Sequence, residues 1–222
     1  MSGTVADVML LSLGVAFSPV PIIAVVALLL SHRPRSAGLG FAGGWLAGIV
    51  AAVSAATVFA RNSERLGVDP LQHAVALIGT VLGVVFVALG VVVWLRRPSG
   101  AQVGHPPWLA ALDQLSVPRA VSAGVALSAV NPKNLLACVS AGLLLGWSGM
   151  PNELIVGSAA AFSLIAASTV LVPMLVFLIV GRAAGDHLAT VRDWLIRHHV
   201  GVVALVMVAI GLLFVARGVS AA

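Results

Sequence analysis

The run Ala120–Gly149, AVSAGVALSAVNPKNLLACVSAGLLLGWSG, is apolar and long enough to cross a bilayer, yet it carries Asn131-Pro132-Lys133-Asn134 near its middle. A hydrocarbon core about 30 Å thick takes about 20 apolar residues per helix, so this polar tetrapeptide falls close to the midplane. Pro132 removes a helical N–H and clashes with the preceding turn, which bends or unwinds the helix there. Lys133 is the only lysine in the chain. Roughly 13 residues separate it from the nearer end of the run, about 20 Å at 1.5 Å per residue, beyond the comfortable reach of a snorkelling side chain. Burying it costs roughly 2.5 to 3.5 kcal/mol unless it is solvated or paired.

A matching interruption lies in the first apolar run, at Ser18-Pro19-Val20-Pro21. Walking outward from the two breaks gives six candidate spans: Val5–Leu30, Ala37–Ala60, Ala74–Leu95, Ala120–Gly149, Glu153–Val180 and Val200–Ala216. They are too long for the 9 to 11 residue strands of a membrane barrel and lack its alternation. The expected fold is therefore all-α and integral to the membrane, a single domain over 1–222. Residues 1–95 form one three-helix repeat, 96–119 a cytoplasmic linker with an interfacial helix, and 120–222 a second repeat. Three spans per repeat force the second into the membrane from the opposite face, so the repeats are inverted, with helices 1 and 4 broken at corresponding positions. Paired broken helices are a sequence pointer to a transport site, because unwound backbone is tolerated at that depth only against protein or a watery cavity. A lone proline kink, as at Pro173, is read as structural.

Composition agrees with this reading. Of 222 residues 60% are hydrophobic and 9% charged, far from the balance of a soluble domain. The formal charge of +5 is read as topogenic rather than as a nucleic-acid footprint. Arg33, Arg35, Arg96, Arg97, Arg119, Arg182, Arg192 and Arg197 fall on one side, and Arg61, Arg65 and Arg217 on the other. Both termini are thus expected to be extracytoplasmic. The amino terminus lacks a basic n-region and its apolar stretch outlasts a signal h-region, so it reads as a retained span. One cysteine, Cys138, forms neither an internal disulfide nor a metal cluster. No catalytic motif occurs: H-E-x-x-H, G-x-S-x-G and the P-loop are all missing, so no enzyme, cofactor or metal is expected.

Two connections contain amphipathic stretches. Trp108, Leu109, Leu112 and Leu115 share a helical face, as do Leu188, Val191, Trp194 and Leu195, and both suit a short helix in the headgroup layer. Arg96, Arg97, Arg119 and Arg192 are candidates for gathering anionic headgroups on the inner leaflet. Gly40, Gly43, Gly44 and Gly48, with Gly157, Ser158, Ala159, Ala160 and Ala161, suit close helix approach. Trp45 lies deeper than the other tryptophans and is expected to lean toward the cavity. No carboxylate reaches the depth of Lys133. Its ammonium has three available partners: backbone carbonyls freed near Ser18, water, or an anionic substrate group.

Ser18-Pro19-Val20-Pro21-Ile22-Ile23-Ala24, Arg33-Pro34-Arg35, Gly43-Gly44-Trp45 and above all Asn131-Pro132-Lys133-Asn134-Leu135-Leu136 resemble the peptidoglycolipid- or sulfolipid-addressing (GAP or Sap-like) family of the LysE transporter superfamily. The resemblance covers essentially the whole chain. It implies two inverted triplets and export of cell-envelope glycolipids or related molecules across a bacterial inner (plasma) membrane. The expected activity is ATP-independent alternating access, in which Ser18, Pro19, Pro21, Asn131, Pro132, Lys133, Asn134 and Trp45 bind the substrate. Expected partners are membrane lipids, an anionic (glyco)lipid or small-molecule substrate, and a homodimer or envelope-lipid export machinery. An exporter of small polar solutes such as amino acids and a non-transporting accessory subunit are the alternatives.

Overall fold

A computed structural model describes residues 2–65, 70–96, 112 and 115–221. Among them every regular element is helical: α1 (Ser2–Ala16), α2 (Pro19–Leu29), α3 (Pro34–Arg65), α4 (Pro70–Leu95), α5 (Val117–Val125), a π turn (Ala126–Val130), α6 (Pro132–Gly146), α7 (Asn152–Val180), a 3-10 turn (Gly181–Ala184) and α8 (Gly185–Ala221). Arg97, Trp108 and Leu109, with most of the 96–119 linker, lie outside the described residues. Leu112 and Leu115 are partly buried against the core.

The boundaries follow backbone chemistry. Four helices begin with proline at their first position, where the missing N–H has no intrahelical acceptor to lose. Pro19 separates α1 from α2 at a bend of 53°. Pro173 sits inside α7 without ending it. In α8 the arm Gly185–His198 meets Val200–Ala216 at 70°, so the amphipathic stretch around Trp194 is angled away from the apolar run that follows.

The surface inverts the pattern of a soluble protein. Phe17, Phe59, Val84, Leu89, Val156, Leu164, Ile179 and Leu205 are exposed along the helices, and a continuous apolar belt of this kind is stable only against hydrocarbon. The protein is membrane-embedded. Two helices, α3 and α7, are each long and apolar enough to cross a bilayer, and the count rises to four if the bent α1–α2 pair and the bent α8 each make one span. The remaining described apolar segments, in α4, α5 and α6, are shorter.

The core is interlocked. Val8, Leu11, Val15, Phe41, Trp45, Ile49, Phe162, Ala166 and Val170 form one cluster drawn from α1, α3 and α7. α3 packs along α5 and α6, α7 packs on α1 and α2, and α4 packs chiefly on α8. Glycine allows the closest crossings. A Cβ on Gly124 would lie 2.7 Å from the Trp45 backbone nitrogen, one on Gly142 would lie 2.5 Å from the Val53 carbonyl oxygen, and one on Gly211 would lie 2.6 Å from the Gly83 carbonyl oxygen. Gly44 and Gly48 abut Val121 and Ser128 in the same way, whereas Gly43 and Gly157 face open space and serve no such crossing. Gly142→Val should therefore cost about 1–3 kcal/mol through overpacking. Gly43→Ala should leave stability within about 0.5 kcal/mol. Thermal unfolding of the purified protein in detergent measures both.

Candidate functional site at the paired helix breaks

The two breaks meet. At the first, Ser18 is extended and its N–H turns back to the Ala16 carbonyl at 2.8 Å, abandoning Gly14, its acceptor in a continued helix. Pro19 and Pro21 have no N–H to offer Val15 and Phe17. The carboxyl end of α1 is thus left with free carbonyls and the negative end of the helix dipole. Two side chains from distant elements answer it. Lys133 Nζ donates to the Gly14 carbonyl at 2.7 Å, and Thr169 Oγ1 of α7 donates to the Ala16 carbonyl at 2.7 Å.

The second break is held by its own asparagines. Asn131 is extended and caps α6, its Oδ1 accepting the Lys133 backbone N–H at 3.1 Å. Within the π turn, the carbonyl of Leu127 would look five residues ahead to an N–H that Pro132 lacks. Asn134 Nδ2 donates to it instead, at 3.0 Å. Asn134 is fully buried and its Oδ1 has no hydrogen-bond partner, a condition shared by Trp45 Nε1. Of the three partners open to the ammonium from sequence, the structure supplies a backbone carbonyl. A lysine offers three N–H groups, so the Gly14 bond leaves two for other acceptors.

Between the breaks lies a cavity of about 730 Å³, within the range of roughly 300–1,000 Å³ usual for ligand sites. Ser18, Pro19, Asn131, Pro132 and Lys133 line its polar side. Its other walls are hydrocarbon: Val85, Phe86 and Leu89 of α4, Leu135, Leu136 and Val139 of α6, and Val203, Val206 and Met207 of α8. Phe17, Val85, Leu89 and Leu135 are exposed on the outer surface, so the cavity opens sideways toward lipid.

Not every residue singled out from sequence lines this space. Pro21 is buried in α2, Asn134 is committed to the second break, and Trp45 packs where α3 crosses α5. Trp45 thus turns into the core, because the glycines of the crossing draw its helix against α5. Arg96 and Arg119 are exposed at the start and end of the linker. Arg192 is half-buried and paired with Asp193 at 2.8 Å, and Arg97 lies outside the described residues. Among the described residues no three of His, Cys, Asp and Glu converge to hold a metal ion. Sequence reasoning missed Gly14, Thr169 and the α4–α8 walls. The i to i+4 rule applied to Pro19 and Pro21 points to freed carbonyls in that turn, but nothing local marks Thr169.

A family model described as Sap, sulfolipid-1-addressing protein, matches residues 8–220, a stretch that includes both breaks and every wall of the cavity. The chain belongs to this family. Among curated proteins and among solved structures nothing matches. In this member of the Sap family the first break is held by two long-range side-chain bonds, one of them neutral. Thr169→Val, which keeps the shape and leaves the Ala16 carbonyl one donor short, should cost about 1 kcal/mol. Ser168→Ala, next to it but bonded only to its own helix at Ile165, should change stability by less than about 0.5 kcal/mol. The difference is read from thermal melts of the two variants.

Proposed function

We propose that this protein is an ATP-independent exporter or flippase, not an enzyme, that carries an anionic cell-envelope (glyco)lipid across a bacterial inner membrane with its headgroup at Lys133. The observation that carries the reading is the Lys133 ammonium at the edge of a lipid-facing apolar cavity, bonded to one backbone carbonyl and with two donors to spare. A phosphate, sulfate or carboxylate is the natural competitor for that ammonium. The positive amino end of α6 lies at the same place and favours the same charge. The family description names a sulfolipid, which has this chemistry.

The walls favour a lipid over a small polar solute. Amino acids would have to cross a cavity faced by Val, Leu, Phe and Met, whereas a lipid keeps its chains against those walls or in the bilayer outside. Asn131 and Ser18 line the same cavity and would bond headgroup oxygens.

In this reading the chain makes six spans in two inverted triplets, with α1–α2, α3 and α4 in one, and α5–α6, α7 and the second arm of α8 in the other. Both termini are extracytoplasmic. Two features support the arrangement. The long helix of each triplet, α3 or α7, packs on the broken helix of the other, as a two-fold relation requires. Arg33 and Arg35 share a pocket with Gly181 at one end of α3, while Arg61 at the other end bonds Asn152, which sorts the connections into two faces. This interlocking holds the triplets together, so access changes by movement of the α4–α8 pair, which closes one side of the cavity.

Lys133→Gln keeps an N–H for Gly14 and loses the charge. A charge-assisted hydrogen bond is worth about 1.5–3 kcal/mol, so flipping of fluorescent phosphatidylglycerol in reconstituted vesicles should fall about tenfold or more. Lys133→Arg should keep part of the rate. Normal flipping by the glutamine variant, at unchanged melting temperature, refutes the role given to Lys133. Failure of the purified wild-type protein to flip lipid favours an accessory subunit instead.

A further inference from the structure

A second cavity of about 530 Å³ flanks the α1–α2 break on the side away from Lys133. Ser168, Thr169, Val172 and Pro173 of α7 form one wall, and Val191 and Trp194 of the α8 arm form its mouth. Phe17 and Pro19 line both cavities, so the first break is a partition with an apolar hollow on each side. The two hollows differ in one respect. Beside Lys133 there are unspent donors. In the second, the two hydroxyls are both committed, Ser168 to the Ile165 carbonyl and Thr169 to the Ala16 carbonyl, each at 2.7 Å.

A hollow whose hydroxyls have both spent their O–H donors has nothing there for an anionic group and suits hydrocarbon. Its mouth has the fittings of a membrane interface. Leu195 and Ile196 dock the arm on Ile22 and Ile23 of α2, which leaves Trp194 half exposed at the rim, its ring stacked on His198 with centroids 4.7 Å apart. Phe17 and Val172 are both more than half exposed, so the crest of the partition faces the bilayer and a chain can pass over it.

We infer that the second hollow receives an acyl chain of the same anionic lipid whose headgroup sits at Lys133. The lipid straddles Phe17 and Pro19, with one chain along α6 and α4 and another along α7 toward Trp194. This rests on the transport reading above and adds to it a cargo with at least two chains, gripped on both sides of the broken helix. The grip explains why α7 is tied to the break through Thr169: the partition must hold its place while chains press on either face. It also makes occupancy of an uncharged hollow depend on a charge located in the other one.

That dependence is the test. The probe is phosphatidylglycerol with a diazirine midway along one chain, photolysed with the purified protein in phosphatidylcholine vesicles, and labelled residues are located by mass spectrometry. Label is expected both at Leu135–Val139 and at Val172 or Trp194, and at least fivefold weaker at the latter when the diazirine is carried by phosphatidylcholine. Val172→Trp should remove label from the second hollow alone, and Lys133→Gln should remove it from both. Equal labelling of the second hollow by the two lipids, or its persistence in Lys133→Gln, overturns the inference and identifies that hollow as ordinary lipid-facing surface. Label confined to Leu135–Val139 also overturns it while leaving the transport reading intact. No selective label at either place overturns both.

Discussion

Backbone carbonyls cannot stay unpaired in hydrocarbon, and the architecture around the cavity answers that constraint. Two prolines in α2 and one in α6 strip donors from helices of a membrane-embedded protein. Side chains answer three carbonyls at the breaks: Lys133 bonds Gly14, Thr169 joins the Ser18 N–H on Ala16, and Asn134 bonds Leu127. The first two come from other helices, which is why the breaks are joints between elements rather than local defects. The ammonium does the most, since it meets the negative end of the α1 dipole while standing on the positive end of its own helix. One contact therefore satisfies a carbonyl, offsets an unfavourable position on α6 and draws the two breaks together.

Such a joint needs rigid surroundings. Glycine-lined crossings bring α3 within backbone contact of α5 and α6, and a similar crossing locks α4 to α8. Helices at that distance gain dispersion contacts that lipid tails cannot match, the main source of helix association once water no longer drives it. The result is a firm core of α1, α3, α5, α6 and α7, with the α4–α8 pair closing one side. The cavity lies at that seam: its polar side chains come from the two breaks, and its apolar wall is shared between α6, the first break and the pair.

A charge beside a greasy wall suits an amphiphile. The headgroup needs one strong electrostatic partner and a few hydrogen bonds, and the chains need only to avoid water. Membership of the Sap, sulfolipid-1-addressing protein, family accords with a lipid role, and the sideways opening gives such a molecule a way in that no aqueous solute requires. The two hollows on either side of Phe17 and Pro19 extend the same logic from the headgroup to the chains.

Much of this was legible in the residues alone. Apolar runs of bilayer length, a lone lysine far from either end of its run, and prolines inside two of the runs sufficed for membrane helices and for both breaks, because span length, charge burial and the missing proline N–H are local properties. What answers Lys133 was left open among carbonyl, water and substrate. The choice of Gly14, the arrival of Thr169, the turning of Trp45 into the core and the walls supplied by α4 and α8 are facts of three-dimensional proximity between segments up to 153 residues apart. A hydroxyl on a membrane helix ordinarily bonds its own preceding turn, as Ser163 and Ser168 do, so no pattern in the chain sets Thr169 apart. The sequence by itself determined where the backbone must break and which charge must be buried; only the tertiary structure decided which acceptor that charge meets, because hydrogen bonds depend on distance in space and not on distance along the chain.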